Sequence, residues 1–326
     1  MLQGLLIAAA LVVALQTGSG VQAPDGPVLS PPRALKSDRI GSATGSGPAT
    51  RSDAIETLIA RGNRHFEAGE TGKAIELYSQ ALALDPQNTS ALFNRAVAFA
   101  EVSDLDGALA DYTTILERNP DFVPALHNRA AVHRRKGQLD SAMIDHDRAL
   151  GLSPDVAPVI YNRALTLMKL ERPGDAIADL SRAIQLAPAF TPAHKARGNA
   201  HYRMGSYRNA LADYSEAARI DPKDLDAVYN QGLAHSALGE ALSAVQAYSR
   251  ILDAKPSHIS ALISRAKAWR TLGDLQKALS DINRAIRFDP MSGPAYELRG
   301  RIFMDLGKEA NALRDLETSR RLGAPQ

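Results

Sequence analysis

The sequence predicts an all-α chain, an α-solenoid of eight 34-residue helix–turn–helix repeats set behind a short N-terminal apolar segment and a flexible linker. Three observations carry this prediction. Pro86, Pro120, Pro154, Pro188, Pro222, Pro256 and Pro290 stand 34 residues apart. Ala74, Ala108, Ala142, Ala176, Ala210, Ala244, Ala278 and Ala312 keep the same step. The stretch Ala193–Pro222 shows what is repeated: two short helices broken at Gly205, with small Gly198 and Ala210 where the helices must approach closely. Its closing proline lacks the donor that a continuing helix needs. A fixed helix–turn–helix period of this length marks a stacked array, in which each unit contacts only its neighbours.

Leu5–Leu15 is an apolar run of eleven residues, short of the roughly 20 that a membrane span needs. It reads as the apolar region of an export signal, and Val21-Gln22-Ala23 offers an A-x-A-like cleavage site. No Lys or Arg precedes the run and Pro24 follows the site, so processing nearer Gly20, or an uncleaved anchor, is the alternative. The expected location is periplasmic or secreted, or else membrane-anchored through residues 1–23. Residues 24–52 are rich in Pro, Gly, Ser, Thr and Ala and bury too little to offset their ordering entropy, which predicts a disordered linker. Asp53 reads as a helix N-cap with Glu56 three residues on, so the array is placed at 53–322 with a tail at 323–326. No further helix is expected to cover the last copy. Asn311, Arg314, Glu317 and Arg321 make its final helix polar enough to meet water itself.

The net charge of +2 on a balanced composition gives no wholesale attraction to nucleic acid. The absence of cysteine excludes disulfides, thiolate chemistry and Cys-type zinc sites.

With each copy numbered so that its proline stands at place 32, place 8 is small throughout: Gly62, Ala96, Ala130, Ala164, Gly198, Gly232, Ala266 and Gly300. Place 24 holds Tyr78, Tyr112, His146, Leu180, Tyr214, Tyr248, Ile282 and Leu316. This pattern resembles the tetratricopeptide repeat family over residues 53–322, more than four-fifths of the chain. Place 4 departs from the family in having no tryptophan; Leu58, Leu92, Leu126, Ile160, His194, Val228, Leu262 and Tyr296 stand there. Place 7, leucine in the family, is arginine in every copy except at Gln231. The resemblance implies a right-handed superhelix that binds another protein along the inner groove lined by its first helices.

The arginines have a structural reading. In an antiparallel hairpin, facing residues have place numbers of nearly constant sum, which sets place 7 opposite place 23. Asp111, Asp145, Asp179, Asp213, Asp281 and Asp315 occupy place 23 in the copies carrying Arg95, Arg129, Arg163, Arg197, Arg265 and Arg299. Salt bridges within each copy account for all twelve and leave Arg61, opposite Leu77, without an acid.

At 100° per residue, places 4, 8 and 11 face the second helix, places 3 and 10 face the neighbouring copy, and places 2, 6, 9 and 13 point away. Place 6 carries Asn94, Asn128, Asn162 and Asn230. A row of amides offers donors and acceptors to the backbone of an extended peptide, although exposed asparagines that only meet water are the competing reading. Place 13 runs from Glu67 and Glu101 through Arg135, Lys169 and Arg203 to Asp305, with His127, Arg134, Lys195 and Tyr202 on the same wall. This basic centre predicts an acidic partner segment, and a merely solvated charged face is again the alternative. The resemblance further implies that Lys195, Asn199 and Asn230 match three of five positions of a carboxylate clamp, whose other two are here Ser260 and Ser264.

His65, His133, His201 and His235 at place 11, His146 at place 24 and Trp269 read as ring-shaped fillers of the hairpin interior. A buried neutral histidine brings acid sensitivity. No phosphate-cradling loop, nucleophile elbow or metalloprotease helix occurs. The expectation is thus a non-enzymatic adaptor or assembly scaffold: a monomer that takes a protein or peptide, with no cofactor, no metal and no nucleic acid, and meets a membrane only through its N-terminal segment. The rival is a structural scaffold that self-associates through its last repeat.

Overall fold

The computed structural model describes residues 50–323. The signal or anchor expected at 1–23, the linker up to residue 49 and the tail from residue 324 lie outside the described residues. Among the described residues are sixteen α-helices and no strand. They form two compact units, one ending at Pro188 and one beginning at Ala189. The first unit holds four hairpins, α1 (Arg51–Glu67) with α2 (Thr71–Leu84), α3 (Thr89–Glu101) with α4 (Leu105–Arg118), α5 (Val123–Arg135) with α6 (Leu139–Leu152), and α7 (Ala157–Lys169) with α8 (Pro173–Leu186). The second holds α9 (Thr191–Arg203) with α10 (Tyr207–Ile220), α11 (Leu225–Ala237) with α12 (Ala241–Ala254), α13 (Ile259–Thr271) with α14 (Leu275–Phe288), and α15 (Gly293–Asp305) with α16 (Glu309–Gly323).

The start of α1 corrects the expected N-cap. Thr50, not Asp53, caps the helix: the Asp53 N–H donates to Thr50 Oγ1 (3.2 Å) and the Thr50 N–H donates to Asp53 Oδ2 (2.8 Å). This reciprocal pair satisfies two otherwise orphaned donors, which a cap at Asp53 would have left to water.

Each hairpin turns through the same device. Place 15 takes a left-handed conformation, filled by Gly69, Gly137, Gly205, Gly239, Gly273 and Gly307. The next N–H then reaches back to the carbonyl of place 11, as from Ser206 to His201 (2.9 Å), closing the first helix in a Schellman-type cap. Ser103 (φ 62°) and Glu171 (φ 57°) do this without glycine, at a cost of about 1 kcal/mol each.

Packing follows the places. All eight alanines of place 20 are 0% exposed, because two helices touch there with no room for a larger group. Place 10 meets the preceding copy, as expected: Ala98 packs with Ala74 and Tyr78, and in the second unit Ala234 packs with Ala210 and Tyr214. Small place 8 makes room for the ring at place 24. A Cβ built on Gly62, Gly198 or Gly232 would stand 2.5, 2.6 or 2.4 Å from Cε1 of Tyr78, Tyr214 or Tyr248.

The six arginine–aspartate pairs form within each copy, in bidentate geometry. Arg163 Nε and Nη2, for example, donate to Asp179 at 2.8 and 2.7 Å. The remaining amino group spans to the preceding copy, where Arg95 reaches Ser79, Arg129 reaches Thr113, Arg163 reaches Asp147, Arg265 reaches Ser249 and Arg299 reaches Asn283. Gln231 keeps this second contact, to Ser215 (2.9 Å), although its copy has lost the aspartate. All these acceptors stand at place 25, which is polar in every copy. One guanidinium fork thus closes its own hairpin and fixes its register on the preceding one.

Candidate functional site

Successive first helices are joined by hydrogen bonds, as from Asn94 to Asn63 and from Arg135 to Ala100, so within a unit they form one wall of the stack. In the first unit this wall is α1, α3, α5 and α7.

The asparagines of place 6 lie along it, but their side chains are committed to the preceding copy. Asn94 Nδ2 donates to Asn63 Oδ1 (2.9 Å), which also accepts from the Tyr78 hydroxyl (2.8 Å). Asn128, 2% exposed, is hydrogen-bonded to the Tyr112 hydroxyl. Asn162, 0% exposed, donates through Nδ2 to His127 Nε2 (3.0 Å). His127 and Arg134 are buried as well. The expectation that this column stands open to a partner is therefore corrected. A single ideal helix points these amides outward, whereas the neighbouring first helix comes close enough to cover them. In the second unit Asn230 is half-buried and forms no hydrogen bond with the described residues, so its amide stays available.

The basic residues divide similarly. Arg135 Nη1 donates to the Ala100 carbonyl (2.6 Å) and Nη2 to Ser103 Oγ (3.2 Å), placing its charge at the C-terminal end of α3. Lys169 Nζ approaches the Arg134 carbonyl at 3.4 Å at the corresponding end of α5, and Lys169 remains exposed. In the second unit Lys195 is held by Asp224 (2.6 Å), the N-cap of α11, and Asn199 accepts from the Tyr214 hydroxyl (2.7 Å). Two groups of the partial clamp thus have partners inside the fold. Tyr202 stacks edge-on against Tyr207 at 5.1 Å between ring centres, and Arg203 is exposed.

Three of the place-11 histidines are not fully enclosed. His65, His133 and His235 are half-buried and reach five residues on, to Glu70, Gln138 (2.7 Å) and Glu240 (2.6 Å) at the N-cap of the second helix. Where place 11 is Phe99 or Trp269, the N-cap is Asp104 or Asp274, whose carboxylate caps the helix directly. The pattern is not general, since Ser206 follows His201 and Lys308 follows Phe303 at the same spacing. Trp269 instead carries Lys277 Nζ over its ring at 4.4 Å.

His146 is an interior filler, as read. It is 0% exposed, lies edge-on to His127 at 6.1 Å, and neither of its ring nitrogens finds a hydrogen-bond partner among the described residues. Burial holds its pKa well below the ordinary histidine value, with His127 and Arg134 on α5 and Arg163 on α7 adding to the effect. The folded chain keeps His146 neutral while the unfolded chain protonates it below about pH 6.5. Its contribution to stability is therefore complete above that pH and lost as pH falls below it, by about 1.4 kcal/mol per pH unit until the folded pKa is reached. Urea titrations from pH 7 to pH 5 should show a smaller loss for His146→Phe than for the unsubstituted chain; parallel curves would refute this.

Among the described residues no group of three or more His, Asp or Glu is arranged to hold a metal ion, and no helix is long and apolar enough to cross a membrane.

Family models described as TPR repeat and tetratricopeptide repeat match residues 62–103 and residues 98–157, 161–224, 195–259 and 229–294 respectively. Human tetratricopeptide repeat protein 28 is 34% identical over 89 residues, 27% of this chain and 4% of that protein. Small glutamine-rich tetratricopeptide repeat-containing protein 2 of Mycosarcoma maydis is 39% identical over 56 residues, 17% of this chain and 16% of its own length. The match thus spans only a small part of either relative. Among solved structures, a tetratricopeptide repeat protein from Parabacteroides merdae superposes with a TM-score of 0.58 at 20% identity, over 74% of this chain and 95% of that one. PilW, a type IV pilus biogenesis factor, superposes with a TM-score of 0.59 at 20% identity, over 62% of this chain and 94% of its own. At such identities the likeness is one of fold.

Proposed function

This chain belongs to the tetratricopeptide repeat family, and on that premise we propose that it is a non-enzymatic adaptor which holds an acidic segment of a partner protein against the inner wall of its first unit. The fold is that of a protein–protein interaction scaffold. The finer reading is supported above all by Lys169, which stays exposed at the end of α7 beside half-buried Arg135 while the neighbouring amides are occupied. A cationic patch of this kind acts through on-rate and is screened by salt. The adaptor works as a monomer, exported or tethered through its N-terminal segment.

A photo-crosslinker at Lys169 in living cells should capture proteins that one at Ile144, 68% exposed on α6, does not. Identical capture from both positions, or none from either, overturns the reading. Self-association through the last hairpin is a second reading, supported by Leu313, which is 65% exposed at a place where Leu279 is half-buried and Val245 buried. Light scattering separates the two: a monomer favours the adaptor, and a dimer abolished by Leu313→Glu favours self-association.

A further inference from the structure

Two clefts among the described residues lie at the two copies whose arginine–aspartate pair is missing. One, of about 290 Å³, includes Gln231 and Ala247 in the sixth copy. The other, of about 430 Å³, is lined by Arg61, Arg64, His65, Ala68 and Glu70 in the first. The first-copy cleft keeps the cation and has lost only the acid, since Leu77 stands where six other copies have aspartate.

We propose that this cleft is a second docking site, separate from the inner wall, that takes carboxylates of an acidic segment on a partner protein. Six arginines at the same place of this chain each grip a planar carboxylate through Nε and Nη2 at 2.6–3.1 Å. Arg61 has the same backbone setting but is exposed and forms no hydrogen bond or ion pair among the described residues. Arg64 stands one helical turn on, also exposed, with its Nε donating to the Ala60 carbonyl at 3.4 Å. Place 10, where it stands, holds a small or apolar group in every other copy; Ala98, Val132, Thr166, Ala200, Ala234, Ala268 and Ile302 are all at most 5% exposed there. A packed neighbour would bury that place, so two guanidiniums a turn apart make this face one for an anion. Glu70 does not fill the role, because His65 and Lys73 already hold its carboxylate. A carboxylate, rather than phosphate, is the group the other six forks of this chain select, and two-oxygen planar geometry is what the fork matches.

The test is fluorescence anisotropy of a labelled oligoglutamate on the full chain. Arg61→Gln/Arg64→Gln should raise its Kd about tenfold and flatten the salt dependence, with thermal melting unchanged because neither side chain is in an ion pair. Arg287→Gln/Arg320→Gln, which removes two exposed arginines elsewhere, should change Kd less than twofold. Equal losses in the two variants, or no loss in the first, overturn the proposal. So does displacement of the probe by inorganic phosphate at concentrations where acetate has no effect. Lys169→Gln keeps the two readings apart: loss there with none at Arg61 and Arg64 leaves the inner-wall reading standing and removes this one.

Discussion

Arg163→Ala is expected to lower the unfolding free energy by about 3 kcal/mol, whereas Arg61→Ala should leave it within about 0.5 kcal/mol. The difference comes from what each substitution strands. Asp179 is 8% exposed and relies on Arg163 for both carboxylate oxygens; without the guanidinium it stays buried and uncompensated. The low end of the usual range for such a loss applies because the Arg163 side chain is itself 24% exposed and water can follow it in. The same exposure makes the pair asymmetric. Asp179→Ala should cost less, since Arg163 can turn to water and keeps Asp147 at 2.9 Å. Arg163 is held firmly in its charged form chiefly by Asp179, so this ordering should hold across neutral pH. Chemical denaturation of the three variants checks it; equal shifts for Arg163→Ala and Arg61→Ala, or a larger loss for Asp179→Ala, would refute the account.

Gly198→Ala should destabilise the fifth copy by about 2 kcal/mol, although alanine is normally the better helix former by nearly 1 kcal/mol. The added Cβ would meet Tyr214 Cε1 at 2.6 Å and Cδ1 at 2.8 Å, and the ring is 2% exposed with its hydroxyl pinned to Asn199. The chain contains its own controls. Alanine at place 8 faces Leu180 in the fourth copy and Ile282 in the seventh. Only the second copy sets alanine, Ala96, opposite tyrosine, and there the Tyr112 hydroxyl crosses to Asn128 of the next hairpin. Tyr214→Leu should therefore offset much of the cost, with a double-mutant coupling above about 1 kcal/mol. Additive losses would show that the ring is not what the glycine accommodates.

The candidate site was far less legible than the fold. Asn128, Asn162 and His127 had the right place numbers for an inner wall, yet they are covered by a contact between first helices that no single-helix projection contains. Lys195 and Asp224 are nearly thirty residues apart, and nothing in either local pattern announces that they meet. The N-cap at Thr50 is hidden for a smaller reason: an acid is favourable both as a cap and in the first turn, and only the geometry of the reciprocal pair distinguishes the two. By contrast, the place-7 to place-23 pairing was legible because it lies within one hairpin, where antiparallel geometry converts sequence distance directly into contact.

The residues alone were enough to fix the period, the helical hairpin, the placement of its turns and prolines, and the ion pair that closes six of the eight copies. These depend on local propensity and on contacts within one repeat, and a repeat states them many times over. Which polar groups along the first helices stay exposed was settled by contacts between copies. That depends on how near one first helix comes to the next, a distance set by the packing of side chains from both copies at once rather than by the spacing of residues in either.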